Sequence, residues 1–68
     1  MLAIKYVVVE TLFDKWKRSF EVVHTYPTTK ANDRFTFPRV MRMWSQKASR
    51  IYRVYPDSTC DIIKEERK

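Results

Sequence analysis

The residues best suited to bind another molecule are concentrated in one segment, RFTFPRVMRMWSQKASRIYRVYP, residues 34–56. This segment holds six Lys and Arg residues and no acid, and it accounts for the whole net charge of +6. Arginine and lysine recognise phosphate and carboxylate groups, so the segment is suited to nucleic acid or to an acidic protein surface. The candidate partner- or nucleic-acid-binding residues are Arg34, Arg39, Arg42, Gln46, Lys47, Arg50, Arg53 and Tyr55.

The same cations also have a purely structural explanation, because the exposed face of a helix is normally charged and needs no function. Solvated helices usually mix signs, since acid–base pairs four residues apart add stability. This segment has no acid, and several like charges on one surface repel one another. We therefore predict a functional surface and keep the solvated face as the alternative.

Two residue types associated with catalysis occur once each, as His24 and Cys60. We expect His24 to be partly buried and bonded to a neighbour, and Cys60 to be a small buried side chain. One His and one Cys do not complete a structural zinc site, which takes four ligands. A chain without glycine has no glycine-rich phosphate loop. The sequence therefore predicts a binding protein rather than an enzyme, with no catalytic residue, metal or other cofactor.

Length and composition predict one small globular domain. The chain has 68 residues, of which 44% are hydrophobic, more than is typical of disordered chains. The single cysteine excludes an internal disulfide, and no uncharged run approaches the roughly 20 residues that span a bilayer. We expect a soluble cytoplasmic protein, a monomer or weak homodimer, that does not bind membranes.

The N-terminal part of the chain predicts two paired strands. Residues 2–13, LAIKYVVVETLF, are rich in β-branched and aromatic residues, which favours a strand. The apolar run at residues 6–9 indicates contact on both faces and hence a central position in the sheet. Residues 16–26 alternate between apolar and polar, as in a half-buried antiparallel strand. A loop is expected over residues 27–34.

An amphipathic helix is predicted over residues 37–49. Pro38 suits the first turn of a helix, where its missing N–H is not needed. A strand over residues 35–43 would place Pro38 inside a hydrogen-bond ladder, so the helix is favoured. Apolar residues recur at helical spacing and polar ones fall on the opposite side. The apolar stripe is Phe37, Val40, Met41, Trp44 and Ala48, and the opposite side carries Arg39, Arg42, Gln46 and Arg50.

The C-terminal part predicts a strand over residues 50–55, a possible short strand over 60–64 and a charged tail over 65–68. The turn between the strands is signalled by Pro-Asp-Ser. The fold class is therefore α+β: an antiparallel three- to four-stranded sheet, of order β-β-α-β with a possible fourth strand, and one helix on one face.

The third strand has two faces with different expected roles. We expect Tyr52 and Val54 to face the helix, with Trp44 buried between helix and sheet. Ile51, Arg53 and Tyr55 would then lie on the open side of the sheet, as a docking patch for another protein.

Several short stretches resemble those of a known kind of protein. IKYVVVE is followed by WKRSFEV, by a helix with a tryptophan and by RIYRVYP. This order is similar to that of small phage-encoded β-β-α-β inhibitor proteins, such as T7 RNA polymerase inhibitor-like and anti-CRISPR-like proteins. The matching residues are 19–22, Trp44 and 53–56. The resemblance implies a compact protein that binds a large host nucleic-acid machine and blocks it.

Two functions are compatible with the sequence. In the first, a phage or mobile-element protein inhibits a host RNA polymerase or a CRISPR-type defence complex through protein contacts, and its basic face meets an acidic surface or a nucleic-acid path. In the second, the same cations bind DNA or RNA directly, without sequence specificity. Neither a helix-turn-helix nor a ribbon-helix-helix pattern is present, which favours the first.

Overall fold

The computed structural model describes residues 3–66 as a four-stranded antiparallel sheet with one helix. The α+β class predicted from the sequence is confirmed. Within the described residues, α1 is too short and too polar to cross a bilayer. The elements in chain order are β1 (Ala3–Phe13), β2 (Ser19–Thr29), α1 (Asp33–Trp44), β3 (Arg50–Val54) and β4 (Cys60–Glu65).

Several strand boundaries differ from the predicted ones. β2 starts only at Ser19, because residues 14–18 are taken up by the turn that closes the hairpin. It ends at Thr29, so the predicted loop over residues 27–34 was too long: residues 27–29 pair with β1, and α1 begins at Asp33. Glu65 still belongs to β4, so it is not part of a tail. Residue 2 of the predicted first strand and residues 67–68 of the predicted tail lie outside the described residues.

β1 lies in the interior of the sheet, as its unbroken apolar run predicted. The strand order is β2-β1-β3-β4, and all neighbouring strands are antiparallel. β1 pairs with β2 over its whole length but with β3 only from Lys5 to Val9. Residues 10–22 of the β1–β2 hairpin therefore extend past β3 as a two-stranded arm, called the hairpin arm below.

The helix starts earlier and ends earlier than predicted. It begins at Asp33, so Pro38 lies inside it rather than in its first turn. The carbonyl of Asn32 accepts hydrogen bonds from the N–H groups of Phe35 and Thr36, at 2.9 and 3.1 Å. The first turn of the helix is therefore formed before Pro38 is reached. The predicted end at residue 49 was wrong because the Ser49 N–H already bonds to the Val9 carbonyl of the sheet, at 2.9 Å.

One apolar cluster between the helix and the sheet forms the core. The predicted stripe on the helix side is confirmed, since all five of its residues belong to this cluster. Trp44 is half-buried instead of buried, because it lies over the edge strand β2, where its indole N–H donates to the Tyr26 hydroxyl at 2.8 Å. The fully buried members of the cluster are Tyr6, Val8, Val40, Ala48 and Ile51.

The two faces of β3 are opposite to those predicted. Ile51 pairs with Val8 and Arg53 pairs with Tyr6, and directly opposite residues share a face of the sheet. Ile51 is therefore completely buried under the helix, while Tyr52 and Val54 point to the open side. The sequence pattern did not reveal this, because apolar residues occupy both faces of β3.

Candidate functional site

Three arginines are exposed together on the outer side of α1. Arg34, Arg39 and Arg42 line one open cleft with Phe35, Thr36 and Pro38, and all three arginines are exposed. They point away from the sheet because Val40, on the opposite side of the helix, is almost completely buried in the core. We call Arg34, Arg39 and Arg42 the basic face.

The basic face differs from the other arginines of residues 3–66 in its electrostatic environment. Arg18, Arg50 and Arg53 each lie within 4.0 Å of a carboxylate, whereas none of the ion pairs of this region includes a basic-face residue. Three positive charges without neutralising neighbours produce a local field that attracts anions.

An aromatic ring lies within the same cleft. The Phe35 side chain is 65% exposed, and the Arg34 guanidinium carbon lies 4.8 Å from the centre of its ring. A large exposed apolar ring beside guanidinium groups offers a stacking surface together with hydrogen-bond donors. The cleft can therefore hold a planar group that carries or adjoins a negative charge.

The helix at this cleft also lacks one of its regular backbone hydrogen bonds, because Pro38 lies inside it. Pro38 has no N–H, so the Arg34 carbonyl loses the hydrogen bond that an α-helix would normally supply four residues on. Both residues are exposed, so water or a hydroxyl or amine of a ligand can fill this position.

Arg53 does not belong to the basic face. Its guanidinium Nε donates to the Tyr6 hydroxyl at 2.9 Å and Nη2 donates to Asp33 Oδ2 at 3.1 Å, and Asp61 lies at 3.9 Å. The same guanidinium stacks near the rings of Tyr6 and Phe37, at 5.3 and 5.2 Å. Arg53 therefore joins the start of α1 to β1 and β4, and its charge is neutralised by two carboxylates.

Tyr6 is the hydroxyl at the centre of this network. It donates to Asp33 Oδ1 and accepts from Arg53. Burial, followed by the hydrogen bond to Asp33, raises the pKa of Tyr6 to about 12. The hydroxyl therefore remains protonated at neutral pH and holds Asp33 in place at the first turn of the helix.

The remaining predicted site residues are dispersed. Arg50 lies on the open side of the sheet, where Nη2 donates to Glu21 Oε2 at 2.5 Å. The Tyr55 hydroxyl donates to Asp61 Oδ2 at 2.5 Å. Gln46 and Lys47 are exposed in the turn after α1. The predicted single surface that joined Arg50 to Arg39 and Arg42 was wrong, because the helix ends before Arg50 and β3 turns its side chain to the other side of the molecule.

His24 and Cys60 occupy different environments. The His24 ring lies 3.3 Å from Glu10 Oε1, and its centre is 4.5 Å from that of the Trp44 ring. Half-burial with bonded neighbours is what the sequence predicted for it. The expected burial of Cys60 was wrong: this residue opens the edge strand β4 and is exposed. In the described part of the chain, no cluster of three His, Cys, Asp or Glu side chains could hold a metal ion.

A second group of cations, at the tip of the hairpin arm, was missed by the sequence analysis. Trp16 is 64% exposed, with Lys15 Nζ at 4.4 Å and the Arg18 guanidinium carbon at 5.0 Å from its ring centre. Asp14 Oδ1 accepts from the backbone N–H groups of Trp16 and Arg18, both at 2.9 Å, and fixes the turn. The run Lys-Trp-Lys-Arg could have drawn attention to it, but Trp16 was assigned to a strand.

Comparisons of the chain with protein-family models, with curated proteins and with solved structures found no match.

Proposed function

We propose that the protein is a small, non-enzymatic basic interaction protein that binds a host nucleic-acid machine and blocks it. In this proposal it is encoded by a phage or mobile element and acts in the host cytoplasm on an RNA polymerase or a CRISPR-type defence complex. The phage-type inhibitor class rests on the resemblance of the sequence. The binding role is supported by the basic face.

The observation that carries the proposal is the contrast between two sets of arginines. Within residues 3–66, Arg18, Arg50 and Arg53 are each bonded to a carboxylate, whereas no ion pair includes a basic-face arginine. Leaving Arg34, Arg39 and Arg42 together and unneutralised costs free energy through mutual repulsion. An anionic partner removes this cost, and guanidinium groups bind phosphate and carboxylate with two donors at once.

The apolar contacts of such an inhibitor have to come from residues other than those first expected. Ile51 is completely buried and Tyr55 is bonded to Asp61, so neither is free to anchor a partner. Phe35 and Met43 are the large apolar residues of α1 that remain exposed. In this proposal they contact the target protein beside the basic face.

A second candidate function is direct, non-sequence-specific binding of DNA or RNA. The observation that favours it is the exposed Trp16 with Lys15, Lys17 and Arg18 at the hairpin tip. Aromatic rings among cations bind single strands by stacking and by phosphate contacts. Both clusters would then contact the same polyanion.

The experiment that tests the proposal compares three proteins in a bacterial lysate, with and without nuclease. They are the parent, the helix variant Arg34→Glu/Arg39→Glu/Arg42→Glu and the tip variant Lys15→Glu/Lys17→Glu/Arg18→Glu, which carries the same change in charge. All altered residues are exposed, so folding should persist and circular dichroism should confirm it.

An inhibitor that acts through protein contacts is expected to capture a polymerase or defence complex after nuclease treatment and to lose it only in the helix variant. Capture that disappears with nuclease, and that falls in both variants, would instead support direct nucleic-acid binding. Capture by the helix variant at the level of the parent would contradict both functions and would identify the basic face as a solvated surface.

A further inference from the structure

The side of the sheet opposite the helix is largely apolar, and no other element of residues 3–66 covers it. The pairing of the strands places these residues on one surface, called the open face below. Val23 and Ile62, on the two edge strands, are 60% and 61% exposed. The apolar residues of the open face are Ala3, Val7, Val9, Phe13, Val23, Pro27, Tyr52, Val54, Cys60 and Ile62.

These residues are neighbours rather than scattered positions. Val7 lies between Thr25 of β2 and Tyr52 of β3, and Tyr52 is opposite Ile62 of β4. Val9 is only 6% exposed even though no other element of residues 3–66 lies over it, so the side chains around it already pack closely. A contiguous apolar surface of this kind marks a site of association.

The charges of the open face are separated between its two ends. Lys5 lies at one end, next to Pro27 and Val54. Glu21 and Glu65 lie at the other end, where Arg50 pairs with Glu21 and is opposite Glu65. One acid is therefore in excess among the strand residues of that end, so the stretch from Lys5 to Thr11 of β1 is positive at one end and negative at the other. The cations of the hairpin tip lie beyond this stretch.

We propose that the open face binds a second copy of this chain. A two-fold axis that lies between the two sheets, perpendicular to the strands and level with Val8, stacks the open faces with their β1 strands antiparallel. The Lys5 end of each copy then lies over the Thr11 end of the other. Because Glu21 of β2 is directly opposite Thr11, Lys5 of one copy comes close to Glu21 of the other. A surface with opposite charges at its two ends is complementary to itself only in this antiparallel arrangement.

The size of the open face indicates a weak dimer. Strands lie about 4.8 Å apart and rise about 3.3 Å per residue. With these spacings, the open face of the four-stranded part and the hairpin arm together has an area of roughly 500 Å² per copy. About 1,000 Å² in total is at the low end for a specific interface. We therefore expect micromolar to submillimolar dissociation constants.

This inference is independent of the proposed function, because the basic face and the open face lie on opposite sides of the sheet. The test is sedimentation equilibrium of the full chain over a range of concentrations. The parent is expected to be a dimer at high concentration. Val23→Lys/Ile62→Lys is expected to weaken association by roughly tenfold or more, because two charges enter an apolar contact.

The matched control is Phe35→Lys/Met43→Lys, which adds the same charge at exposed apolar residues of the helix and should leave association unchanged. The antiparallel arrangement is tested by exchanging charges. Lys5→Glu should weaken the dimer several-fold, and Lys5→Glu/Glu21→Lys should recover most of the loss.

Three results would overturn the inference: a parent that remains monomeric at all concentrations, equal association of the parent and Val23→Lys/Ile62→Lys, or loss of association in the helix control alone. Binding of a monomeric parent to phospholipid vesicles through Val23 and Ile62 would also overturn it, in favour of a membrane-facing surface.

Discussion

Tyr6 connects protonation to the attachment of the helix. Its pKa is raised from 10.0 to about 12, so the folded state holds this proton more tightly than the unfolded chain does. The resulting stability is fully present below pH 10 and is lost as the pH rises towards 12. At pH 11 the loss amounts to about 1 kcal/mol.

This behaviour can be tested with Tyr6→Phe, measured by urea unfolding at pH 8 and pH 11. The variant should be less stable at pH 8 by about 1–2 kcal/mol, since Asp33 and Arg53 each lose a hydrogen-bond partner. Its further loss at pH 11 should be smaller than that of the parent. An equal loss in both proteins would show that other groups cause the alkaline destabilisation.

Lys17, at the hairpin tip, adopts a left-handed backbone conformation with φ of 63°. This region is strained for a residue with a Cβ atom, and glycine relieves the strain. We expect Lys17→Gly to raise the free energy of unfolding by about 0.5–1 kcal/mol. Lys15→Gly is the control, since Lys15 has no positive φ and should gain nothing. Denaturant unfolding of both variants distinguishes relief of strain from the removal of a positive charge.

At the level of elements, α1 is held to the sheet by apolar packing and by side-chain hydrogen bonds, among them one between the Thr36 and Thr28 hydroxyls at 2.7 Å and those at its two ends. At its start, Asp33 bonds to Tyr6 and Arg53. At its end, Trp44 donates to Tyr26 and stacks with His24. Both ends of the helix are therefore fixed by side chains of the strands beneath it.

Trp44→Ala tests the attachment at the end of the helix. We expect a loss of about 2–3 kcal/mol, less than for a fully buried tryptophan, because the side chain is half-buried. Trp44→Phe should lose only about 1 kcal/mol, since it keeps most of the packing and loses the hydrogen bond. Thermal unfolding followed by circular dichroism measures both variants. Unchanged stability of Trp44→Ala would contradict the assignment of this residue to the core.

The helix also illustrates what local sequence patterns omit. Its apolar stripe was predictable, because spacing alone determines which residues share a face. The start of the helix was not predictable, because proline only tends to occupy first turns. Here the start is fixed by the bond between Asp33 and Arg53, which lies twenty residues further along the chain. A contact between residues so far apart has no signature in either local segment.

At the level of the whole molecule, the same limit explains why the candidate site was only partly predictable. The common position of Arg39 and Arg42 on the outer side of α1 could be predicted from helical spacing. Arg50 and Arg53 have the same chemistry, but the pairing of β3 with β1 directs one to Glu21 and the other to Asp33. Sequence identifies the cations, and tertiary pairing decides which of them remain unneutralised.

The salt dependence of binding separates the two candidate functions for the intact protein. In direct nucleic-acid binding, three phosphates neutralised by the basic face give a log–log slope of affinity against salt of roughly −3, and contacts of the hairpin-tip cations make it steeper, whatever nucleic-acid sequence is offered. An inhibitor held by Phe35 and Met43 keeps most of its affinity at raised salt. Titrations from low to high salt, with the purified target or with a mixed oligonucleotide, measure this slope. A steep slope for the purified protein target would contradict apolar anchoring.

The strand order has a consequence for how the chain folds. β2 follows β1 across a short turn, whereas β3 joins the other side of β1 only after the helix. Closing a short loop costs less entropy than closing a long one, so the hairpin should form early while the second edge of β1 remains unpaired. An exposed apolar edge promotes aggregation. Substitutions along the β1–β2 pairing should therefore slow refolding, and those in β3 and β4 should mainly speed unfolding.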